Sequence, residues 1–283
     1  NSLFSTATQI VTFVNKVTYH KKIIIAPRGE LQDNALEIKK TKKNIYLFCC
    51  QLLKLHKDTH FHSTDVIETH RIKSIFSDNQ VSELANAVKV HQFKPLSKKE
   101  NQLKLIFISR ISKKKNLDYA IKILHSVKSH VQMDIYGPTE DTRYWHQCLA
   151  LIKKLPANIQ VHYKGSLGPE DVMPTMRQYH AFFLPTKSEN FGHVIVEAMQ
   201  SGLIPVISNQ TPWINLEDNA AGWDIALSDE NKFIQLIETL YRMNDKIYTE
   251  FSESTIKYIH KQLNSDLLEE RYINFFNNVI NEA

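Results

Sequence analysis

The sequence predicts an α/β protein whose C-terminal two thirds form a parallel, doubly wound sheet, and three observations support this. From Leu103 to Ser208, short apolar runs alternate with helical segments, the pattern of βαβ units. Several apolar runs end at glycine or proline, as strands do before a turn. The chain has 283 residues, of which 42% are apolar and 23% charged. This composition suits about two globular domains and excludes disordered, collagen-like and membrane-spanning chains.

The first part of the chain predicts a smaller set of such elements. A β-branched run at 22–26 ends at a Pro-Arg-Gly turn, which indicates a buried strand. A polar stretch with a proline at 92–101 predicts an inter-domain linker. In chain order, we predict a helix at 3–19, a strand at 22–26, a helix at 33–54, a strand at 59–62, and a helix with Ser63, Thr64 and Asp65 as N-cap candidates.

The second part is more regular, and its strand ends are the expected ligand-binding positions. The predicted strands are 103–109, 131–136, 159–163, 181–184 and 203–208, and the helices between them are 116–128, 143–155, 170–179 and 192–201. From about residue 230 the chain is predicted to be helical. Leu268, Tyr272, Phe275, Phe276 and Val279 lie at helical spacing in the last helix and are predicted to pack in a core.

Charge is distributed unevenly. Residues 1–115 hold 21 Lys and Arg against 9 Asp and Glu, although the whole chain is only +5. A basic first part indicates an anionic partner, namely a membrane surface, a phosphorylated substrate or nucleic acid, unless these lysines merely coat the surface. It has neither interleaved aromatics nor a recognised nucleic-acid module, so nucleic acid is not expected. Three scattered cysteines and the lack of a signal peptide predict a cytoplasmic location.

Arg110 and Lys115 follow the strand at 103–109 and lead into the next helix. Two cations beside a helix N-terminus favour an anion site, because their charge, their donors and the helix dipole act together. The alternative is that they are ordinary surface cations, like the adjacent Lys113 and Lys114.

The segment 185–205 contains two carboxylates eight positions apart, Glu189 in the loop and Glu197 on the following helix. The residues between them offer backbone N–H groups at the helix start, and Gly192 permits close approach of a ligand. Carboxylates that accept from sugar hydroxyls, together with N–H groups facing phosphates, suit a sugar diphosphate. The N–H groups are those of Asn190, Phe191, Gly192 and His193.

At these residues the sequence resembles the GT-B glycosyltransferases, and within them the retaining family 4. That family carries a Glu-x7-Glu signature, matched by Glu189 and Glu197, and an Arg followed five positions on by Lys, matched by Arg110 and Lys115. The segments 26–31, 62–68, 208–213 and 222–223 are similar to a bacterial subgroup that builds O-antigen and capsule sugars. The resemblance covers nearly the whole chain and implies two Rossmann-like domains, a partial one at 1–95 and a nucleotide-sugar domain at 96–262. It also implies that a C-terminal helix at 263–283 crosses back to the first domain.

The resemblance also implies roles. Arg110 and Lys115 would hold the donor diphosphate and stabilise the leaving nucleotide, and Glu189 would contact the donor sugar near the reacting carbon. Glu197 would accept from the ribose hydroxyls. Asn190, Phe191, Gly192 and His193 would hold sugar hydroxyls or phosphate, Gly137 and Gly165 would border the nucleoside, and Arg28 and Glu30 are acceptor-side candidates. The implied partners are a nucleotide-diphosphate sugar, with a UDP-hexose or UDP-N-acetylhexosamine as the expected donor, and a glycan or lipid-linked acceptor at the inner face of an anionic membrane.

The first domain departs from the family pattern. It is about half the expected size, and neither the glycine-rich loop nor the family's histidine near the sugar is found. We therefore expect the natural protein to be longer than this chain. Two alternatives to a transferase stay open: a non-catalytic module that binds a nucleotide sugar, and an epimerase acting on a UDP-sugar.

A metal site is not expected. His56, His60 and His62 lie near Cys49 and Cys50, but their spacing fits no ligand pattern. The chain contains no Asp-x-Asp motif, and cations can replace a metal in stabilising leaving-group charge. No cofactor is implied.

Overall fold

A computed structural model describes residues 3–32, 36–37, 40–84, 95–263 and 265–281. The chain divides into two compact units, which are described separately. The first unit is Asn1–Lys89 together with Leu263–Ala283, and the second unit is Val90–Gln262. The predicted linker falls partly on residues outside the described ones.

The first unit contains a small parallel sheet in the order β1-β2-β3. Its core is formed by one cluster of buried apolar side chains, which includes Leu31, Leu47, Phe61 and Ile72. Asp65 is the N-cap of the helix after β2, because its side chain accepts from the backbone N–H of Glu68 at 2.8 Å. The elements are α1 (Thr6–Val14), a π-helical turn (Asn15–Tyr19), β1 (Ile23–Ile25), α2 (Lys40–Leu52), β2 (Thr59–Ser63), α3 (Val66–Ile75) and β3 (Val81–Glu83).

The second unit contains six parallel strands with helices between them. Its strands are β4 (Leu103–Ile108), β5 (Val131–Tyr136), β6 (Ile159–Tyr163), β7 (Ala181–Leu184), β8 (Ile204–Ser208) and β9 (Trp223–Ile225). Its helices are α4 (Leu117–His125), α5 (Thr142–Ile152), α6 (Pro169–Met176), α7 (His193–Gln200), α8 (Glu230–Arg242) and α9 (Asp245–Leu263). Every residue of β7 and β8 is buried, as expected for central strands covered on both faces.

The strand order of the second unit is β6-β5-β4-β7-β8-β9. From β4 the chain first adds strands on one side, through β5 to β6, and then returns to add β7 on the other side. The order therefore reverses between β4 and β7. Parallel α/β sheets bind their ligands at such a switch point, outside the carboxyl ends of the strands.

The last helix, α10 (Ser265–Asn281), belongs to the first unit. Phe275 and Val279 are buried in a second small cluster with Leu84, as the apolar stripe predicted. The prediction is wrong for Phe276, which is 47% exposed.

The sequence-based element predictions are largely confirmed within the described residues, with three differences. The helix predicted at 3–19 is broken into α1 and a π-helical turn. Of the helix predicted at 33–54, residues 33–35 and 38–39 lie outside the described residues. The strands β3 and β9 were missed because each has only three residues, too few for a periodic signal.

No helix in the described part of the chain is both long and apolar enough to cross a membrane. Within the same residues, no group of three or more His, Cys, Asp or Glu side chains could hold a metal ion. His56 instead packs in the first unit's core, where burial lowers its pKa to about 4.

Candidate donor site in the second unit

The loops that follow β4 and β7 are joined by hydrogen bonds at the switch point. The carbonyl oxygen of Lys114 accepts from the backbone N–H of Lys187 at 2.9 Å and from Oγ1 of Thr186 at 3.2 Å. Nδ2 of Asn116 donates to the carbonyl of Pro185 at 3.0 Å. These bonds bring the predicted cationic loop against the loop that carries Glu189.

Asn116 is a residue that the sequence reasoning missed as part of the site. It is 3% exposed, and its backbone is left-handed, with φ of 62°. Asparagine tolerates this conformation better than most residues, and it starts α4 immediately after Lys115. The sequence signal that could have identified it is an asparagine placed between a cationic loop and an apolar helix.

Lys115 and Glu189 form a buried ion pair, with Nζ donating to Oε1. The two side chains are only 10% and 11% exposed. Each charge compensates the other, because either one left alone would be strongly disfavoured in this position. An anionic ligand that reached Lys115 would supply a second negative charge to this pair.

Arg110 has a different environment. Its side chain is 62% exposed and contacts Glu140, in the loop after β5, at 3.1 Å. An exposed pair of this kind contributes little to stability, so Arg110 can exchange partners at low cost. Desolvation, together with the positive charges of Lys115 and Arg110, lowers the pKa of Lys114. The loop after β4 is thus a concentrated positive region.

The turn into α7 is held by one backbone and one side-chain hydrogen bond to the loop after β8. The backbone N–H of Glu189 donates to the carbonyl of Gln210 at 3.0 Å, and Nε1 of Trp213 donates to the carbonyl of Phe191 at 2.6 Å. Gly192 caps α7 with φ of 74°, and a Cβ there would lie 2.8 Å from Cδ1 of Ile195. Glycine is therefore favoured by the left-handed conformation, and a larger residue would also displace the end of the Ile195 side chain.

Glu197 lies in the second turn of α7 and is half-buried. Burial raises the pKa of its carboxyl group. No group in the described part of the chain forms a hydrogen bond or ion pair with this carboxylate. Its oxygens are therefore available to accept from ligand hydroxyls.

Gly137 and Gly165 meet at the ends of β5 and β6. The N–H of Gly137 donates to the carbonyl of Gly165 at 2.8 Å. A Cβ on Gly137 would lie 1.9 Å from the carbonyl oxygen of Ser109, so the ends of β4 and β5 approach as closely as only glycine allows. The structure brings together these two residues, which were predicted to border the nucleoside.

The two acceptor-side candidates lie in the first unit. Arg28 is exposed in the turn after β1, with φ of 55°. An oxygen of Glu30 accepts from the backbone N–H of Leu3 at 2.6 Å, which gives this carboxylate a structural contact. Glu68, the last residue of the segment 62–68, has a buried carboxylate that accepts from Thr64 and from the N–H of Gly29.

Comparison with known proteins identifies the family. Residues 88–261, more than half of the chain, match the family model described as Glycosyl transferases group 1. The UDP-N-acetylglucosamine–peptide N-acetylglucosaminyltransferase GtfA subunit of Streptococcus pneumoniae is 29% identical over 134 residues, which are 45% of this chain and 25% of that protein. The corresponding subunit of Streptococcus agalactiae is 25% identical over 178 residues, 58% of this chain and 33% of that protein. The matches thus span a third or less of these curated relatives.

Solved structures agree with the fold. TarM of S. aureus, in a complex that contains UDP, has a TM-score of 0.67 and 17% identity, covering 94% of this chain and 58% of TarM. Anabaena HepE with UDP and glucose has a TM-score of 0.74 and 12% identity, covering 96% and 76%. At these identities the similarity concerns the fold, and the predicted GT-B-like fold class with parallel sheets is confirmed. Together with the family match, this establishes that the chain belongs to the group 1 glycosyl transferases.

Proposed function

We propose that the chain is a retaining glycosyltransferase of family 4 that moves a hexose or N-acetylhexosamine from a UDP-sugar to a glycan or lipid-linked glycan of a surface polysaccharide. The observation that carries the proposal is the buried Lys115–Glu189 ion pair at the sheet's switch point. It joins a cationic loop, suited to a diphosphate, to a carboxylate suited to a sugar hydroxyl.

The chemistry of the residues suggests where each part of the donor would lie. The diphosphate would lie against Lys115 and Arg110, whose charges match its own. The free carboxylate of Glu197 would accept from the ribose hydroxyls, and the nucleoside would lie by Gly137 and Gly165. UDP is preferred because the GtfA relatives are named for UDP-N-acetylglucosamine and the TarM and HepE structures contain UDP.

The positive charge of the loop after β4 suits a reaction in which a diphosphate is the leaving group. The bond between the sugar's anomeric carbon and the diphosphate breaks, and the diphosphate keeps the electron pair. The acceptor hydroxyl bonds to the same face of that carbon, and its proton passes to the departing phosphate oxygen. Lys115 and Arg110 stabilise the charge that develops on the diphosphate, which is the task a metal ion performs elsewhere. We therefore propose a metal-independent reaction, and turnover unchanged by EDTA is the expected result.

Calorimetric titration of the purified chain with UDP, GDP, ADP and CMP tests the donor assignment. We expect saturable binding of UDP, weakened about tenfold or more in Glu197→Ala, since each lost charge-assisted hydrogen bond contributes about 1.5–3 kcal/mol. Glu253→Ala, an exposed carboxylate on α9, is the matched control and should bind as the wild type does. Failure of a folded chain to bind any of the four nucleotides contradicts the proposal.

A second candidate is a non-catalytic module that binds a nucleotide sugar. It is favoured by the contrast between three strands in the described first unit and six in the second. Mass spectrometry of UDP-sugar incubated with the chain and glycan acceptors separates the two. Glycosylated product with the donor's anomeric configuration supports the transferase, whereas binding without transfer or hydrolysis supports the module. An epimerised UDP-sugar without acceptor would indicate an epimerase.

A further inference from the structure

Two loops of the second unit meet beside the cations of the candidate site, the loop after β4 and the loop after β5. The backbone N–H of Ile111 donates to the carbonyl of Pro138 at 2.9 Å, and Ile111 forms an isolated parallel β-bridge with Thr139. Ile111 is fully buried. The bridge therefore fixes the backbone next to Arg110 in one loop and Glu140 in the other.

Arg110 and Glu140 form an exposed ion pair across these loops. Nη1 of Arg110 donates to both carboxylate oxygens of Glu140, at 3.1 and 3.3 Å. The two side chains are 62% and 46% exposed. Exposed pairs contribute little net stability, because solvent screens the charges and both side chains lose conformational freedom. The pair therefore does little for the stability of the fold.

The neighbouring carboxylate, that of Asp141, is used differently. Asp141 is the N-cap of α5 and accepts from the backbone N–H of Tyr144 at 2.9 Å. A carboxylate in this position satisfies a free N–H group at the start of the helix. Glu140, one residue earlier, directs its carboxylate to Arg110 and so to the positive loop.

The charges of the loop after β4 act on one another. Burial lowers the pKa of Lys114. The charges of Lys115 and Arg110 lower this pKa further, and that of Glu189 raises it. Two carboxylates lie among these cations. Glu189 compensates the buried Lys115. Glu140 occupies Arg110 at the surface.

We propose that Glu140 is a specificity-determining residue of the donor site, which occupies Arg110 when no diphosphate is bound and favours the donor over the released nucleoside diphosphate. This role rests on the proposed function, in which Arg110 binds the diphosphate. An incoming diphosphate displaces the carboxylate of Glu140 from Arg110, and Glu140 regains Arg110 when the nucleotide leaves. Because the pair is exposed, the exchange costs little.

The donor and the product differ in charge. In a nucleotide sugar, both phosphates of the diphosphate are esterified. Loss of the sugar leaves a terminal phosphate whose second pKa is about 6, so released UDP carries close to one more negative charge at neutral pH. The carboxylate of Glu140 repels this additional charge. It therefore weakens the binding of the product more than that of the donor.

Calorimetry of the full chain with UDP, UDP-glucose and UDP-N-acetylglucosamine tests this role. Glu140→Gln removes the charge and keeps the size of the side chain. We expect this variant to bind UDP about fivefold more tightly and the sugar nucleotide less than about twofold more tightly, the range open to an exposed charge pair. In transferase assays, the inhibition constant of UDP should fall by the larger factor and the KM for the donor by the smaller one. Glu140→Asp, which retains the charge, should bind UDP more nearly as the wild type does.

A double variant tests whether Glu140 acts through Arg110. In Arg110→Ala, the further change Glu140→Gln should raise the affinity for UDP by less than about twofold, because the coupling between two contacting residues is lost with either partner. Glu217→Gln is the matched control. Glu217 also forms an exposed ion pair in the second unit, with Lys232 at 2.6 Å. Its replacement should leave both affinities unchanged, and circular dichroism checks that every variant is folded.

Three results contradict the role of Glu140: no gain in UDP affinity in Glu140→Gln, an equal gain for UDP and the sugar nucleotide, or an equal gain in the Glu217→Gln control. Weaker binding in Glu140→Gln also overturns it and would show that the carboxylate accepts from a hydroxyl of the ligand. If the wild type binds no UDP, the donor assignment fails together with this role. If the wild type binds UDP and Glu140→Gln binds it equally well, only the role of Glu140 fails.

Discussion

The two units differ in how completely they bury their apolar side chains. Fifteen of the eighteen large apolar side chains that are exposed in the described part of the chain belong to the first unit. In the second unit, β7 and β8 are buried along their whole length. Burial of apolar area is the main stabilising term in folding, at roughly 25 cal/mol per Å². The second unit therefore buries most of its large apolar side chains, whereas the described part of the first unit leaves many of them exposed.

The largest expected effect tests the tight packing of the second unit. Gly137→Ala places a Cβ 1.9 Å from the Ser109 carbonyl oxygen, so β4 and β5 must separate. We expect a loss of about 3 kcal/mol or more in the free energy of unfolding, measured by urea denaturation.

Gly165→Ala is the control for Gly137→Ala. Gly165 also has a positive φ, of 82°, but a Cβ there meets nothing within 4 Å. Only the cost of the left-handed conformation remains, about 1 kcal/mol. Equal losses in the two variants would contradict the close approach of the strand ends.

The next effect concerns the buried charge pair of the second unit. Lys115→Ala should reduce kcat/KM by about 10²–10³, because the lost cation stabilises developing charge and its partner Glu189 is left buried. Arg110→Ala should reduce it less, because Arg110 is 62% exposed. The measurement is the initial rate of UDP release from the donor with acceptor present, and wild-type turnover in Lys115→Ala would refute the assignment.

Each unit has an aspartate N-cap, so the effect of removing a cap can be compared between the two units. Asp65 in the first unit and Asp141 in the second each accept from a backbone N–H three residues on, at 2.8 and 2.9 Å. Each change to alanine should lower the free energy of unfolding by about 1 kcal/mol. Calorimetry with UDP should show unchanged affinity in Asp65→Ala. A weakened affinity there would show that donor binding depends on the first unit.

The smallest effect is the stability cost of the free carboxylate at Glu197. Burial raises the pKa of this carboxyl group in the folded protein. As far as this group is concerned, the free energy of unfolding is therefore highest below the unfolded-state pKa, and it falls as pH rises through the folded-state pKa. Glu197→Gln should therefore be more stable than the wild type at pH 7. The difference should vanish below the ordinary glutamate pKa of about 4.3. Chemical denaturation at both pH values measures it, and a less stable variant at pH 7 would contradict the assignment.

The sequence predicted the second unit better than the first. Its strands are apolar runs separated by helices of ordinary length, so local pattern and fold agree. In the first unit, α1 has its apolar stripe outside, and the buried Thr12 lies where periodicity would place a polar surface residue. Periodicity identifies a helix but not the partner of its apolar face, which explains why the exposure of α1 was not foreseen.

The residues of the candidate site also divide into those that the sequence predicted and those that only the structure revealed. The spacing of Glu189 and Glu197, and of Arg110 and Lys115, singled out residues by type and position alone. The support of the turn by Trp213 and the role of Asn116 required the structure, because each depends on a backbone carbonyl distant in the chain. Arg110 and Lys115 looked equivalent in sequence, yet one is exposed and the other buried.

By itself, the sequence determined the alternation of strands and helices, the glycines at strand ends and the chemistry of the loops, since all of these depend on residues close together in the chain. The tertiary structure decided which loops meet. Lys115 and Glu189 are 74 residues apart and pair because β4 and β7 are neighbours in the sheet. That adjacency results from how six strands and their helices bury the most apolar surface together, which no local segment encodes.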